Sequence, residues 1–494
     1  MRFAVRSTFV SLALALAGGV AVAQTPRPAN SAGNAAAPDT AWRVAEFDAA
    51  VHAIVSDKSF KDAEVGIAIM DVESGHLLAA ANEHGALNPA SNAKLYTAAA
   101  ALAILHGDHV YETTLGGERN GISVAGPLTL RGFGDPTLET RDLWAMVQEL
   151  RTQGIRRIEG DIVVDQRFYD DMTTPPAFEQ KPAEWAAFRA PVSAVAVNEN
   201  TVTMLVRPGE VGQGANVSFD PPGFVDVEGT VTTSESGADN VVLALRPNGK
   251  RLAAKVAGSV ATDSRVVRYT RRVDDPNLLA GYVLKHLLEQ AQIRVGGDVK
   301  AGAGKGGVLV RHKSRPLAQI LPELGKASDN FVAEMVFKSL GGEKVGRPAK
   351  SASGALAVTK WLDTIGANDE GVVIKNGSGL YDANRVTASS VVRLLRAAYR
   401  DPAVQPEFLE QLAIGGVDGT LRRRFASERG RRAVRAKTGT LDDAIALSGY
   451  VMGPPGKGAV AFSVLFNKVE GKAAGARSVA DKLVELVARK VWER

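Results

Sequence analysis

Residues 89–100 read Pro-Ala-Ser-Asn-Ala-Lys-Leu-Tyr-Thr-Ala-Ala-Ala and place a serine and a lysine at the entrance to an apolar segment. The Ala-rich composition predicts a helix over about residues 93–105 that packs closely inside a core. One helical turn brings Ser91 and Lys94 together. A serine hydroxyl becomes a good nucleophile when a nearby base takes its proton, and a desolvated lysine can be that base. Taken alone, the pattern equally suits a helix-capping serine and a solvated lysine.

Two later motifs favour the catalytic interpretation over the capping one. Ser328-Asp329-Asn330 lies between two predicted helices, where it also suits an ordinary capped turn with Asn330 at the second helix. Lys437-Thr438-Gly439-Thr440 ends an apolar-edged strand, and the small Gly439 would let a flat ligand approach the backbone. Class A β-lactamases and penicillin-binding proteins use Ser-x-x-Lys, Ser-Asp-Asn and Lys-Thr-Gly as a set. The joint occurrence therefore favours a catalytic site.

Further segments extend this similarity over nearly all of the chain after residue 23. With them, the sequence resembles the D-Ala-D-Ala carboxypeptidase/endopeptidase family of class C penicillin-binding proteins. The segments are Pro89 to Ala100, Gly134-Asp135-Pro136-Thr137-Leu138, Val197-Asn198-Glu199-Asn200 and Asn376-Gly377-Ser378-Gly379-Leu380. The resemblance implies an α/β fold, in which a penicilloyl-serine transferase (β-lactamase/transpeptidase-like) domain with an antiparallel sheet flanked by helices is split by a large β-rich insertion.

The resemblance also implies roles for the motif residues. Ser91 would attack the carbonyl of the penultimate D-Ala, and Lys94 would accept its proton. Ser328 would relay a proton toward the leaving amine. Asn330 would hold the substrate amide and help to neutralise Lys94.

The third motif would bind the end of the substrate. Lys437 and Thr438 would hold the terminal carboxylate through charge and a directed hydroxyl. The backbone N–H groups of Ser91 and Thr440 would form the oxyanion hole. Water would hydrolyse the acyl-enzyme, and we expect neither a metal nor an organic cofactor.

Side-chain specificity is less determined. Asp165, with Phe168, falls where the family places an acid that meets the amino end of a diamino-acid side chain, although a strand-end turn explains it equally well. The family commonly continues Gly-Ser-Gly-Leu with Ser-Arg, whereas this chain has Tyr381-Asp382. Either Arg385 binds the substrate carboxylate instead, or the preference differs from meso-diaminopimelate.

Patterning along the chain predicts its organisation. Residues 1–23 are typical of a signal peptide and residues 24–39 of a flexible lead-in. The catalytic domain would be discontinuous, over residues 40–117 and 305–494. Short β-rich segments between Gly and Pro predict an inserted region at 118–304 of one or two domains, the inner one at about 200–262. Gly-rich residues 302–307 would be a flexible junction.

Export follows from the first residues. Arg2 and Arg6 precede an apolar core, and Ala21-Val22-Ala23 suits cleavage near Ala23, so we expect the periplasm or cell envelope. The apolar core is too short to span a bilayer. The chain has no cysteine, which excludes disulfides, thiol catalysis and an N-terminal lipid anchor on cysteine.

The charge indicates partners only weakly. Loss of Arg2 and Arg6 lowers the formal charge from +5 to +3, and the arginines between Arg422 and Arg432 suit a solvated face better than attraction to an anionic wall polymer. Nucleic acid is not an expected partner. The resemblance implies peptidoglycan peptides as substrates and β-lactams as covalent inhibitors. The oligomeric state stays open.

Several alternatives remain at this stage. A β-lactamase would share the three motifs without needing the insertion, and a non-catalytic peptidoglycan-binding protein could keep the same fold. A Ser-His-Asp esterase is disfavoured because no Gly-x-Ser-x-Gly occurs. The seven histidines follow no metalloprotease pattern. The sequence does not decide between removal of terminal D-Ala and opening of cross-links.

Overall fold

The structure is a computed structural model that describes residues 41–493, with side chains described for residues 45–493. The predicted signal peptide and the lead-in lie outside the described residues. Within the described part of the chain, no helix combines the length and the apolar character that a membrane span requires.

Ten α-helices occur in the described residues. In chain order they are α1 (Ala41–Val55), α2 (Ala93–Leu105), α3 (Thr140–Thr152), α4 (Leu279–Gln290), α5 (Leu317–Gly325), α6 (Asn330–Lys344), α7 (Ser351–Thr364), α8 (Ala388–Arg400), α9 (Gln405–Gln411) and α10 (Ala473–Trp492).

The described residues also form twenty strands. In chain order they are β1 (Glu64–Asp71), β2 (Leu77–Ala81), β3 (Glu112–Asn120), β4 (Ser123–Gly132), β5 (Arg157–Ile158), β6 (Ile162–Asp165), β7 (Thr201–Arg207), β8 (Asn216–Asp220), β9 (Val225–Gly229), β10 (Thr232–Ser234), β11 (Asn240–Asn248), β12 (Arg251–Ala261), β13 (Val267–Arg272), β14 (Arg294–Val295), β15 (Val299–Ala301), β16 (Gly307–Lys313), β17 (Ala413–Ile414), β18 (Val434–Thr440), β19 (Ala444–Val451) and β20 (Val460–Asn467).

A six-stranded sheet in the order β17-β18-β19-β20-β1-β2 joins the two ends of the chain. All of its neighbouring strands are antiparallel. Side chains alternate between its faces, so Ala68 and Met70 pack with α2 and α5–α9, whereas Ile67 and Ile69 pack with α1 and α10. The predicted antiparallel sheet flanked by helices is confirmed.

Three further sheets lie between residues 112 and 313. The seven-stranded one includes β3–β6 and β14–β16, and α3 and α4 pack against it. The smaller sheets are β13-β7-β8 and the four strands β9–β12. Because β3 pairs with β16, the first and last strands of this region lie side by side. We therefore propose that the insertion runs over residues 112–313, somewhat wider than the 118–304 expected from texture, with an inner part at 201–272.

The predicted flexible junction at residues 302–307 is wrong. The Gly304 N–H donates to Asp165 Oδ2 at 3.2 Å, and Gly307 begins β16. A Cβ on Gly304 would lie 2.1 Å from Thr129 Cγ2. These glycines allow close packing of neighbouring strands, which sequence alone does not distinguish from flexibility.

Candidate active site

The start of α2 is fixed against the centre of the six-stranded sheet. A short 3₁₀ turn over Ala90–Asn92 precedes the helix and carries Ser91. The Asn92 Nδ2 donates to Ser448 Oγ on β19 at 2.8 Å, and Asn88 Oδ1 accepts from the Ala90 N–H at 2.9 Å. Ala90 has a φ of 46°, a strained value for a residue with a Cβ. The backbone at Ser91 is therefore held in one conformation before any ligand binds.

Lys94 lies fully buried one helical turn after Ser91. Its Nζ lies 3.1 Å from Ser91 Oγ, 2.7 Å from Asn330 Oδ1 and 2.8 Å from the Ser378 carbonyl oxygen. Burial lowers the pKa of Lys94 to about 7, against the opposing effect of the Asp329 and Glu334 carboxylates. A neutral amine has two N–H donors for the two oxygens and one lone pair for the Ser91 hydroxyl. The geometry suits proton transfer from Ser91 to Lys94.

Ser328 contacts Lys437, the second lysine of the site. It has a φ of 63°, and its Oγ accepts a hydrogen bond of 2.8 Å from Lys437 Nζ. Lys437 is also fully buried, and burial, with the neighbouring Lys94, holds its pKa well below the usual value. Two buried amines so close together disfavour a state in which both carry a proton.

The cap of α6 differs from the one expected at Asn330. Asp329 is the N-cap, because its Oδ1 accepts from the Val332 N–H at 2.9 Å. This leaves the Asn330 side chain free to reach across the site, where its Oδ1 accepts from Lys94 and its Nδ2 donates to the Phe188 carbonyl at 3.0 Å. In this motif, Asp329 therefore caps α6, and the Asn330 amide contacts Lys94 in the site.

Gly439 has a different neighbour from the one the sequence indicates. A Cβ at this position would lie 2.8 Å from the Pro89 carbonyl oxygen and 3.0 Å from Ala90 Cβ. The glycine therefore lets β18 lie against the turn that carries Ser91. It brings Thr440 to the cavity that Ser91 also lines.

Ser91, Ser328, Asn330 and Thr440 line one cavity of about 630 Å³. Its outer wall is formed mainly by polar side chains, among them Gln180, Lys181, Glu184, Asp382, Asp442 and Asp443. A cavity of about 680 Å³ along α10 is slightly larger, but it contains none of the predicted site residues. We follow the chemistry rather than the size and take the smaller cavity as the site.

Asp165 is not brought to this cavity. It is buried, and its oxygens accept from Arg131 Nε at 2.8 Å and from Arg167 Nε and Nη2, both at 2.9 Å. Burial opposes ionisation, yet the two arginines and the Gly304 N–H together hold the pKa of Asp165 below its ordinary value. Asp165 is therefore a buried, ion-paired carboxylate in this structure, and its assignment as a substrate-binding acid stays a prediction.

Arg385 lies at the rim rather than in the wall of the cavity. Its Nη1 donates to Asp382 Oδ1 at 2.5 Å, and this contact lowers the pKa of Asp382. Asp382 lines the cavity, whereas Arg385 does not. Nη1 of the guanidinium is thus already paired with Asp382, and binding of the substrate carboxylate by Arg385 stays a prediction.

Glu334 is a site residue that sequence reasoning missed. It is buried on α6, and its two oxygens accept from the N–H groups of Gly377 at 3.1 Å and Ser378 at 2.8 Å. Ser378 in turn offers its carbonyl to Lys94. Burial raises the pKa of Glu334. Its place one helical turn after Asn330, in Asn-x-x-x-Glu, was the available signal.

Comparison with known proteins agrees with this geometry. Residues 47–490 match the model of the D-Ala-D-Ala carboxypeptidase 3 (S13) family. A D-alanyl-D-alanine carboxypeptidase from an Actinomadura species is 34% identical over 87% of this chain and 82% of its own length. The D-alanyl-D-alanine carboxypeptidase DacB of Haemophilus influenzae is 26% identical over 84% of this chain and 87% of its own.

Solved structures show the same fold. Penicillin-binding protein 4 of Haemophilus influenzae aligns with a TM-score of 0.70 and 24% identity, over 86% of this chain and 93% of that one. The same protein complexed with a β-lactam aligns with a TM-score of 0.68. From the family match and the Actinomadura relative, the chain belongs to the D-Ala-D-Ala carboxypeptidase 3 (S13) family.

Proposed function

We propose that this protein is a serine D-Ala-D-Ala carboxypeptidase that acts on peptidoglycan stem peptides through an acyl-enzyme on Ser91. The observation that carries the proposal is the buried Lys94, whose Nζ lies 3.1 Å from Ser91 Oγ in the cavity that also holds Ser328 and Asn330. A base of this pKa can take the serine proton at neutral pH. The family match supports the substrate class.

Acylation would use the groups in sequence. Lys94 takes the proton as Ser91 Oγ attacks the carbonyl of the penultimate D-Ala, and the N–H groups of Ser91 and Thr440 stabilise the oxyanion. Ser328 then passes its proton to the leaving D-Ala nitrogen as the amide bond breaks and receives the proton held by Lys94 in its place, so that Lys94 is neutral again. Water later hydrolyses the ester, with Lys94 again as base, and D-Ala has left as the free amino acid.

Lys437 and Thr438 would bind the terminal carboxylate. A carboxylate beside Lys437 favours the charged form of that lysine, and the charged Lys437 in turn disfavours a proton on Lys94. The substrate would therefore help to keep the base neutral. A peptide whose terminal carboxylate is blocked would lack this effect.

The same acylation explains the expected inhibition by β-lactams, which present a strained amide and a carboxylate to the same groups. The proposal includes cross-linked peptides as possible endopeptidase substrates, since the bond broken is again a D-amino-acid amide. We also propose that residues 1–23 direct export, which would place the enzyme in the periplasm or cell envelope with its substrate.

Incubation of the purified protein with a labelled penicillin and, separately, with a pentapeptide ending in D-Ala-D-Ala tests the function. We expect a stable adduct on Ser91 by peptide mapping and release of one D-Ala per peptide. Rapid penicillin turnover would instead indicate a β-lactamase. Absence of both adduct and product would indicate a non-catalytic binding protein. Digestion of cross-linked muropeptides would show whether cross-links are opened as well.

Replacement of Glu334 by Gln should weaken the site without removing any reacting group. Gln offers one acceptor oxygen where Gly377 and Ser378 each donate an N–H, and an unpaired buried donor costs about 1–3 kcal/mol. Loss of the carboxylate also removes a charge that raises the pKa of Lys94. We expect kcat/KM for the pentapeptide to fall and its acid limb to move to lower pH.

The exposed Glu343 on the same helix provides the matched control. Glu343→Gln should leave both the rate and the pH profile unchanged. An acid limb that stays in place in Glu334→Gln, or that moves to higher pH, would contradict the assigned electrostatic effect.

A further inference from the structure

Residues 414–420 form a turn that is attached to the segment carrying Ser328. Asp418 Oδ2 accepts from Lys326 Nζ at 2.6 Å, and its Oδ1 accepts from the Ile414 N–H at 2.8 Å. Gly419 has a φ of 52°, and a Cβ there would lie 2.9 Å from the Lys326 carbonyl oxygen. A side chain at this position is thus excluded by space and by backbone conformation. The turn is held at a fixed distance from the second catalytic motif.

Thr420 follows directly and contacts the third motif. The Thr438 Oγ1 donates to Thr420 Oγ1 at 3.0 Å. Thr420 is exposed and Thr438 half-buried, so the pair lies at the open side of β18. Thr438 is adjacent in sequence to Lys437, whose Nζ donates to Ser328. Thr438 is itself assigned to the substrate carboxylate, so the Thr420 hydroxyl contacts one of the groups that would bind it.

The number of donors and acceptors on each hydroxyl shows how the hydrogen bond between Thr438 and Thr420 changes when a carboxylate binds. A hydroxyl has one proton and two lone pairs, so Thr438 can donate either to Thr420 or to a carboxylate, not to both. When its proton turns to the carboxylate, Thr420 can donate its own proton to the freed Thr438 oxygen. This reversal keeps Thr438 hydrogen-bonded and polarises it toward the anion.

We propose that Thr420 is a positioning residue for the terminal carboxylate of the substrate, acting through the Thr438 hydroxyl. The ion pair between Asp418 and Lys326 holds the turn against the segment that carries Ser328. The inference rests on the proposed carboxypeptidase function, and it adds a residue outside the three motifs to its specificity.

The test uses Thr420→Val, which keeps the branched shape and removes the hydroxyl. For a pentapeptide ending in D-Ala-D-Ala, we expect KM to rise roughly fivefold, the effect of one hydrogen bond of ordinary strength, with kcat nearly unchanged. Thr420→Ser should restore KM because it returns the hydroxyl. The exposed Thr152 at the end of α3 is the matched control, and Thr152→Val should behave as the wild type.

A second measurement separates carboxylate binding from a general structural effect. An N-acyl-D-alanyl thioglycolate has a free carboxylate, and its methyl ester lacks one, while both acylate through a reactive thioester. Thr420→Val should slow acylation by the acid and leave acylation by the ester unchanged. Equal losses for both compounds, an unchanged KM, or a Ser variant as impaired as the Val variant would each overturn the proposal. These KM values and acylation rates are measured on an enzyme that turns over. A negative result for Thr420 is therefore distinct from failure of the proposed function, which loss of the Ser91 adduct would show.

Discussion

Ser91→Ala should abolish covalent labelling by penicillin and lower kcat for D-alanine release by about four to six orders of magnitude, as removal of a serine nucleophile does elsewhere. The half-buried Ser91 Oγ is the hydroxyl oxygen that lies beside the Lys94 amine, at 3.1 Å from its Nζ. Alanine fits the 3₁₀ turn over Ala90–Asn92, so the fold should be retained. Intact-protein mass after penicillin treatment and a D-alanine assay give the two readouts.

The control for this change is another serine at the start of a helix. Ser351 begins α7, and Ser351→Ala should keep full labelling and turnover. The melting temperatures of both variants should match that of the wild type. D-alanine release that survives in Ser91→Ala would show that the proposed mechanism is wrong.

The elements that carry the motifs were predictable because their signals are local. Ala-rich residues 93–105 form α2 over Ala93–Leu105, and the helix predicted to follow Ser328-Asp329 is α6, Asn330–Lys344. The strand predicted to end in Lys437-Thr438-Gly439-Thr440 is β18, Val434–Thr440. Apolar periodicity and turn residues specify such elements within a few positions. That the three motifs form one site was inferred from the resemblance to the family, not from these local patterns.

Asp165 shows what the sequence did not contain. Strands β4 and β6 are parallel neighbours, and their register places Arg131 directly beside Asp165. Arg167 adds a second guanidinium from the residues that follow β6. Parallel pairing between strands joined by a helix leaves no short-range turn signal. Asp165 matches a binding position of the family by motif, but in this structure it forms ion pairs with two arginines.

Glu334 was missed for a related reason. An acid on an apolar helix is usually read as a solvated or salt-bridged residue, and Glu334 instead pairs with backbone N–H groups more than 40 positions later, at Gly377 and Ser378. The Gly-Ser-Gly segment was recognised as similar to the family, but its partner was not. Local patterns predict elements, whereas the network around Lys94 depends on how α2, α6 and this segment pack together.

Lys94→Met should lower kcat/KM roughly 10²–10⁴-fold, the usual effect of removing a general base. Methionine fills a similar space in the buried position of Lys94 and provides no lone pair of comparable basicity. In the unaltered enzyme, Lys94 has a pKa of about 7, so its neutral fraction falls as the pH drops below that value. We therefore expect kcat/KM to decline toward tenfold per pH unit on the acid side of about 7, and this limb should disappear in Lys94→Met.

Lys338 is the matched control, since it is another buried lysine, on α6 rather than α2, whose Nζ lies 2.5 Å from Asp170 Oδ1. Lys338→Met leaves that carboxylate without its cation, so it should lower the melting temperature while keeping the acid limb near pH 7. The two variants separate loss of a buried lysine from loss of the base. If the acid limb persists in Lys94→Met, another group causes it. The most direct candidate is Lys437, whose Nζ lies 2.8 Å from Ser328 Oγ and whose pKa is also lowered by burial.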